Sequence, residues 1–192
     1  GKVIEYSGEC ARLGIKVLPP DINISGSGFT AEDSGRIRFG LNAVKNVGTR
    51  LIERSVEERQ EKPYTSLYDF CKRMHGTELN RRTVESLIKA GALDGMGHNR
   101  AELLSVYEQL MDDAAQKKRQ NLTGQLSLFD LATPGGGTAQ PPFRIPSLPE
   151  HPRKVLLSME KEMTGVYITG HPLSEYAEAV DALPNHIWEI LQ

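Results

Sequence analysis

A chain of 192 residues can bury one good hydrophobic core and a second small one. The formal charge of −2 excludes attraction of the whole molecule to a polyanion, so any such binding must come from local clusters. The two cysteines, Cys10 and Cys71, lie far apart and form no C-x-x-C pair, which argues against a disulfide framework or a zinc site. No signal peptide and no apolar run near membrane-spanning length is present, so no membrane role is expected. The chain begins without Met inside a helical pattern and is expected to be a piece of something larger.

Val3, Tyr6, Cys10 and Leu13 follow helical spacing, with Gly14 as a C-cap. Ile15 to Leu18 reads as a short strand stopped by Pro19-Pro20, and Gly26 and Gly28 mark a loop. Phe29 to Glu32 and Arg36 to Phe39 flank Asp33-Ser34-Gly35, the pattern of a small β-hairpin that would brace the helical region after it. A helix is expected from Gly48 to about Gln60, before Pro63. Ser66-Leu67-Tyr68-Asp69 resembles a capping box opening a helix through Met74. Asn80 can cap a helix over Arg81 to Ala90, closed by Gly91. Asn99 can cap a long helix reaching about Arg119, with Leu103, Tyr107, Leu110 and Ala114 as its apolar stripe. Thr133 to Pro142 holds no aliphatic residue larger than Ala and reads as a linker. Pro146, Pro149 and Pro152 keep the next stretch extended. Val155, Met159 and Met163 mark a further helix, and Leu173, Tyr176, Val180 and Leu183 another.

Two short corners organise this pattern: Asn46-Val47-Gly48 and Gly95-Met96-Gly97. Each joins two helix-like apolar stretches, Leu41/Val44/Val47 to Leu51/Ile52/Val56 and Val84/Leu87/Ile88 to Leu103/Leu104/Tyr107. This is the pattern of a tandem helix-hairpin-helix. Glycine lets the chain turn sharply and leaves room for an anion to approach. The helix after each corner begins with unpaired N–H groups and the positive end of its dipole. Thr49 and Arg50 follow the first corner; His98, Asn99 and Arg100 follow the second. Hydroxyl, amide and guanidinium donors so placed suit phosphate oxygens and read no bases. Val47 and Met96 would plug the corners into the core. Arg36 to Arg54 carries five basic residues against one acidic, while Glu78 to Glu102 carries four of each sign. The first corner is therefore expected to supply more of the electrostatic attraction. The opposing possibility is that both are ordinary helix-helix corners.

Gln125-Leu126-Ser127-Leu128-Phe129 places three large apolar side chains in a polar stretch. Such a peptide either fills a groove on a partner or folds back on its own core. Metal-assisted phosphoryl transfer needs clustered carboxylates holding two metal ions about 3.5–4 Å apart. Asp112-Asp113, the only adjacent Asp pair, lies on a helix without such a cluster and reads as a solvated face.

Several runs together resemble the bacterial DNA polymerase III α subunits, C-family replicative polymerases. These are Glu9 to Asn23 (ECARLGIKVLPPDIN), Ile37 to Gly48 (IRFGLNAVKNVG), Leu79 to Arg82 (LNRR), Leu87 to Asp94 (LIKAGALD), Glu160-Lys161-Glu162 and Gly170-His171-Pro172-Leu173. The resemblance implies a mainly α fold with a small N-terminal β element. Residues 1–40 would be the end of the fingers region with the β-hairpin, and 41–120 the tandem helix-hairpin-helix domain. Residues 121–153 would hold the clamp-binding motif and Pro/Gly-rich linker, and 154–192 helices leading to an oligonucleotide-binding domain outside this chain.

The implied role is non-sequence-specific duplex DNA binding and sliding-clamp tethering within a DNA-directed DNA polymerase of the bacterial cytoplasm and nucleoid. The other replicase subunits would be reached through the parent chain. Expected DNA contacts are Lys45, Asn46, Gly48, Thr49, Arg50, Arg81, Arg82, Gly95, Gly97, His98, Asn99 and Arg100; the expected clamp contacts are Gln125, Leu126, Ser127, Leu128 and Phe129. No catalytic residue, metal ligand or cofactor is expected in this segment, although the parent polymerase would use Mg2+. Asn46 stands where such hairpins usually carry Gly, so a modified first turn is expected. The alternative function is a non-catalytic interaction scaffold whose corners serve only packing. A helix-turn-helix regulator ranks lower, since the helix after Gly97 carries Glu102 and Glu108 and few base-reading donors.

Overall fold

The computed structural model describes residues 9–10, 12–33, 35–122 and 144–172. Gln125 to Phe129, the Thr133–Pro142 linker and the helix expected from Leu173 lie outside these residues. β1 (Lys16–Leu18), β2 (Thr30–Asp33) and β3 (Arg36–Arg38) form a sheet of order β1-β3-β2. The expected hairpin is present, with β2 and β3 antiparallel across a bulge at Ala31/Asp33. β1 adds in parallel to β3, pairing Val17 with Ile37. Five α-helices come next among the described residues: α1 (Thr49–Glu61), α2 (Leu67–Met74), α3 (Arg81–Lys89), α4 (Arg100–Leu122) and α5 (Arg153–Thr164).

Local sequence explains most of the helix ends. Ser66 Oγ accepts the Asp69 amide at the start of α2. The Asp69 carboxylate in turn accepts the Thr65 amide at 3.1 Å. Asn80 Oδ1 accepts the Thr83 amide at the start of α3, and Gly91 closes that helix at φ +82°. Caps of this kind are worth about 0.5–2 kcal/mol each.

The main core lies between α2, α3 and α4, with α1 packed on α2. Phe70, Leu87, Ile88, Leu103 and Leu110 are buried in it, each contributing about 1.5–3 kcal/mol of transfer free energy. The expected stripe of α4 is inside, with Tyr107 only partly so, and Val106 joins it. In α5 the buried face is Leu157, Glu160, Met163 and Thr164. Val155, expected on that face, is instead exposed, because the helix lies against α3 on the side that begins two residues later.

The sheet is joined to the helices by polar contacts. Asn23 and Tyr64 exchange two hydrogen bonds of 2.9 and 2.8 Å. Arg59 of α1 donates to the carbonyls of Ile22, Ser25 and Ile24. Gly40 is needed because an added Cβ would lie 2.5–2.7 Å from backbone atoms of Ser27 and Gly28. That close approach lets Leu41 and Asn42 donate to the carbonyls of Gly26 and Ser27, fixing the entry to the first corner. Cys71 is buried, and burial pushes its thiol up to about 12, so it serves packing. Among the described residues, no helix is long and apolar enough to cross a membrane.

Candidate nucleic-acid interface

The first corner departs from expectation on its entry side. The stretch with Leu41 and Val44 forms one 3-10 turn, Leu41–Ala43, rather than a longer helix. Leu41 and Val44 are both buried, so burial rather than helical periodicity explains their spacing. Asn46 adopts φ +63°, the left-handed conformation a glycine would take, and is the only such non-glycine among the described residues. Side-chain and backbone bonds secure it: Asn46 Nδ2 donates to Ser86 Oγ at 2.9 Å, and Thr83 Oγ1 donates to the Asn46 carbonyl at 2.8 Å. The Lys45 amide donates to the Met163 carbonyl. Val47 inserts, partly buried, beside Val44, Ala90 and Met163. The corner is thus clamped from behind by α3 and α5.

Its outer face is open. Lys45, Asn46, Gly48, Thr49 and Arg50 are exposed. Gly48 caps α1 without a side-chain bond. Among the described residues, the amides of Gly48, Thr49 and Arg50 find no acceptor in the protein. A 13-residue helix therefore presents its positive end and free donors to solvent. Two of the five basic residues counted nearby are spent elsewhere: Arg38 pairs with Glu32, and Arg54 with Glu57 and Glu58. Arg50 is 85% exposed, its nearest acid Glu78 at 3.6 Å.

The second corner has the expected chain path. Asp94–Met96 forms a 3-10 turn, Met96 is buried, and Gly97 takes φ +82°. Its donors, however, are already engaged. Asn99 Oδ1 accepts the Glu102 amide, and Glu102 Oε2 accepts the Asn99 amide. Glu150, fifty residues onward, accepts the Arg100 amide at 3.0 Å and the Ala101 amide at 3.1 Å. Asn99 Nδ2 donates to the Leu148 carbonyl, and the Leu148 amide donates to Glu102 Oε1. The segment before α5 thus lies as a strap across the start of α4, with a carboxylate where an incoming anion would sit. Burial pushes the Glu150 carboxyl up, but the amides of Arg100, His151 and Ala101 outweigh it and hold it below the usual range. The Asn99 and Leu148 amides likewise hold Glu102 low.

Arg100 corrects the expectation most sharply. Its side chain is 4% exposed and pairs with Asp94 at 2.7 Å and with Glu160 at 3.2 Å. Burial works against its charge, but Asp94 and Glu160 outweigh it and raise the pKa. Glu160, 1% exposed, also accepts from the amides of Ile168 and Thr169 and from Thr169 Oγ1. Arg100 is a buried link between the corner, α5 and the loop after it, and it is not available to a phosphate. Asn99 is held in the same way, and His98 Nδ1 lies 3.1 Å from Glu102. Gly95 and Gly97 remain exposed, but the amides beyond them are occupied. Arg81 pairs with Asp112 and Glu108, whereas Arg82 is exposed at the start of α3.

Sequence reasoning gives no role to Glu150 and places Glu160 only within a motif. The signal at Glu150, an acid directly after Pro149 and shortly before a helix, is too common to single it out. Among the described residues, no group of three or more His, Cys, Asp or Glu could hold a metal ion.

Comparison with known proteins agrees with this architecture. Residues 14–103 match the helix-hairpin-helix motif family. The chain is 43% identical over 176 residues to the DNA polymerase III subunit alpha of Saccharopolyspora erythraea, covering 90% of this chain and 15% of that protein. It is 40% identical to the subunit of the same name from Xylella fastidiosa over 183 residues, 95% of this chain and 15% of the relative. It is 36% identical to that of Escherichia coli K12 over 185 residues, 94% and 15% respectively. The chain therefore spans about 15% of the length of the curated relatives it matches. With similarity running along nearly all its residues, this chain belongs to the bacterial DNA polymerase III α-subunit family, as a segment that includes the helix-hairpin-helix region.

Proposed function

We propose that this segment grips duplex DNA by its sugar–phosphate backbone, without sequence preference, as part of a DNA-directed DNA polymerase in the bacterial cytoplasm. The carrying observation is the exposed start of α1, where the amides of Gly48, Thr49 and Arg50 find no acceptor among the described residues. Lys45 and Arg50 add positive charge beside them, and Arg82 lies exposed at the start of α3. The clamped back of the corner holds these donors in one arrangement before any ligand arrives, which lowers the ordering cost of binding. The second corner, by contrast, favours the packing role for itself, because Glu150 occupies its amides.

Titration of a labelled duplex tests the reading. Micromolar-range binding that weakens steeply with salt is expected. Replacing Gly48 by Val with Arg50 by Ala should remove it, and binding that ignores salt or survives this pair of changes refutes the grip.

The same reading gives the parent enzyme a tether. Gln125-Leu126-Ser127-Leu128-Phe129 supplies apolar anchors for a groove on a ring-shaped sliding clamp, which would keep the polymerase near its primer through effective concentration. Leu128→Ala with Phe129→Ala should abolish capture of the chain by the clamp. Capture at wild-type level would refute the tether.

A further inference from the structure

Glu78 stands in the loop between α2 and α3, opposite the start of α1. Its Oε1 lies 3.6 Å from Arg50 Nη1, and a Cβ built on Gly48 would lie 3.2 Å from its Oε2. A carboxylate therefore stands beside the positive end of the helix. Each corner has an acid near its helix start, Glu78 at α1 and Glu150 at α4. The two acids differ in how they are held. Glu150 accepts two backbone amides of α4, whereas Glu78 is 56% exposed and meets Arg50 beyond hydrogen-bonding distance.

We propose that Glu78 is a positioning residue of the first corner: it keeps the Arg50 guanidinium over the start of α1 and yields that place to a backbone phosphate when duplex arrives. The proposal rests on the reading of this corner as the DNA grip. A phosphodiester carries one negative charge and accepts from the same donors as a carboxylate, so the two compete for Arg50. An exposed pair of this length is weak enough to be exchanged. While present, it holds a flexible guanidinium near its working position. It also sets a threshold against weaker anions, because any ligand must outcompete a tethered acid.

Glu78→Gln in the 192-residue chain tests this. It removes the charge, keeps the side-chain shape, and lies on an exposed surface where unfolding is not expected. With a fluorescently labelled blunt duplex, the Kd should fall about two- to fivefold at low salt. The gain should shrink as salt rises, since screening at 0.1 M acts over about 10 Å. Glu78→Asp, which keeps the charge, should show no such gain. On an Arg50→Ala background the gain from Glu78→Gln should disappear. Equal or weaker binding by Glu78→Gln, or the same gain with and without Arg50, overturns the role of Glu78. If Arg50→Ala weakens duplex binding while Glu78→Gln leaves it unchanged, the grip stands and only this role falls. If Arg50→Ala binds as wild type, the grip and the role of Glu78 fall together.

Discussion

At the first corner the amides of Gly48, Thr49 and Arg50 find no acceptor among the described residues, while at the second every amide from Asn99 to Glu102 is taken by a side chain of the same molecule. The trailing arginines diverge in the same way. Arg50 reaches into solvent beside Glu78, and Arg100 lies buried between Asp94 and Glu160. Two corners of the same pattern, an apolar residue then Gly with an Arg close behind, thus differ in setting, one facing outward and one binding the body of the protein together. The cause is the strap before α5, which brings Leu148, Glu150 and then Glu160 onto the second corner and leaves the first open. Repetition of a motif does not carry repetition of function when a distant segment can occupy one copy.

The largest expected break in this comparison comes from the arginines. Arg100→Ala would leave Glu160 buried without its cation and should cost about 3–5 kcal/mol in urea unfolding, whereas Arg50→Ala should change stability by no more than about 0.5 kcal/mol. Equal costs would abolish the distinction between the two corners. Next come the glycines. Gly91→Ala forces φ +82° on a residue with a Cβ and drives that Cβ into the Arg100 guanidinium and to 3.0 Å from Asp94 Oδ2, so a loss of about 1–3 kcal/mol is expected. At Gly48 the backbone is already extended at φ −79° and, among the described residues, an added Cβ would meet only the Glu78 carboxylate, at 3.2 Å, so Gly48→Ala should barely move the unfolding midpoint.

Removing the strap's acid is a smaller change. Glu150→Ala should lose about 0.5–2 kcal/mol, as for a lost helix cap, and speed hydrogen exchange at the Arg100 and Ala101 amides while leaving α1 unaffected. The smallest effect is on pH dependence. Glu150 and Glu102 have folded pKa values below their ordinary ones, so their contribution is complete above the ordinary glutamate value and is lost as pH falls through the depressed values. Stability in that acid window should therefore fall more steeply for wild type than for Glu150→Gln, and parallel curves would show that Glu150 does not hold the strap.

Much of the fold could be read along the chain because the bonds concerned are short in sequence. Ser66 with Asp69, Asn80 with Thr83 and Asn99 with Glu102 each lie three residues apart, so residue type and spacing suffice to place three helix starts. The β2–β3 hairpin was legible for the same reason, through the turn-forming residues Asp33-Ser34-Gly35. The parallel addition of β1 was not, since it joins Val17 to Ile37 with nothing local to announce it. At the outward corner Asn46 holds a glycine-like turn where a modified one was expected, and the entry is a 3-10 turn where a helix was expected. The burial of Arg100 was hidden because its partner Glu160 lies sixty residues away, beyond any periodic pattern.

Sequence alone determined the helices, their caps, the two corners and the excess of positive charge around the first, because each arises from the backbone preferences and spacing of neighbouring residues. Only tertiary structure decided which corner stays open. A free amide and an occupied one look identical in sequence, and the difference lies in whether folding brings a distant carboxylate within 3 Å of it.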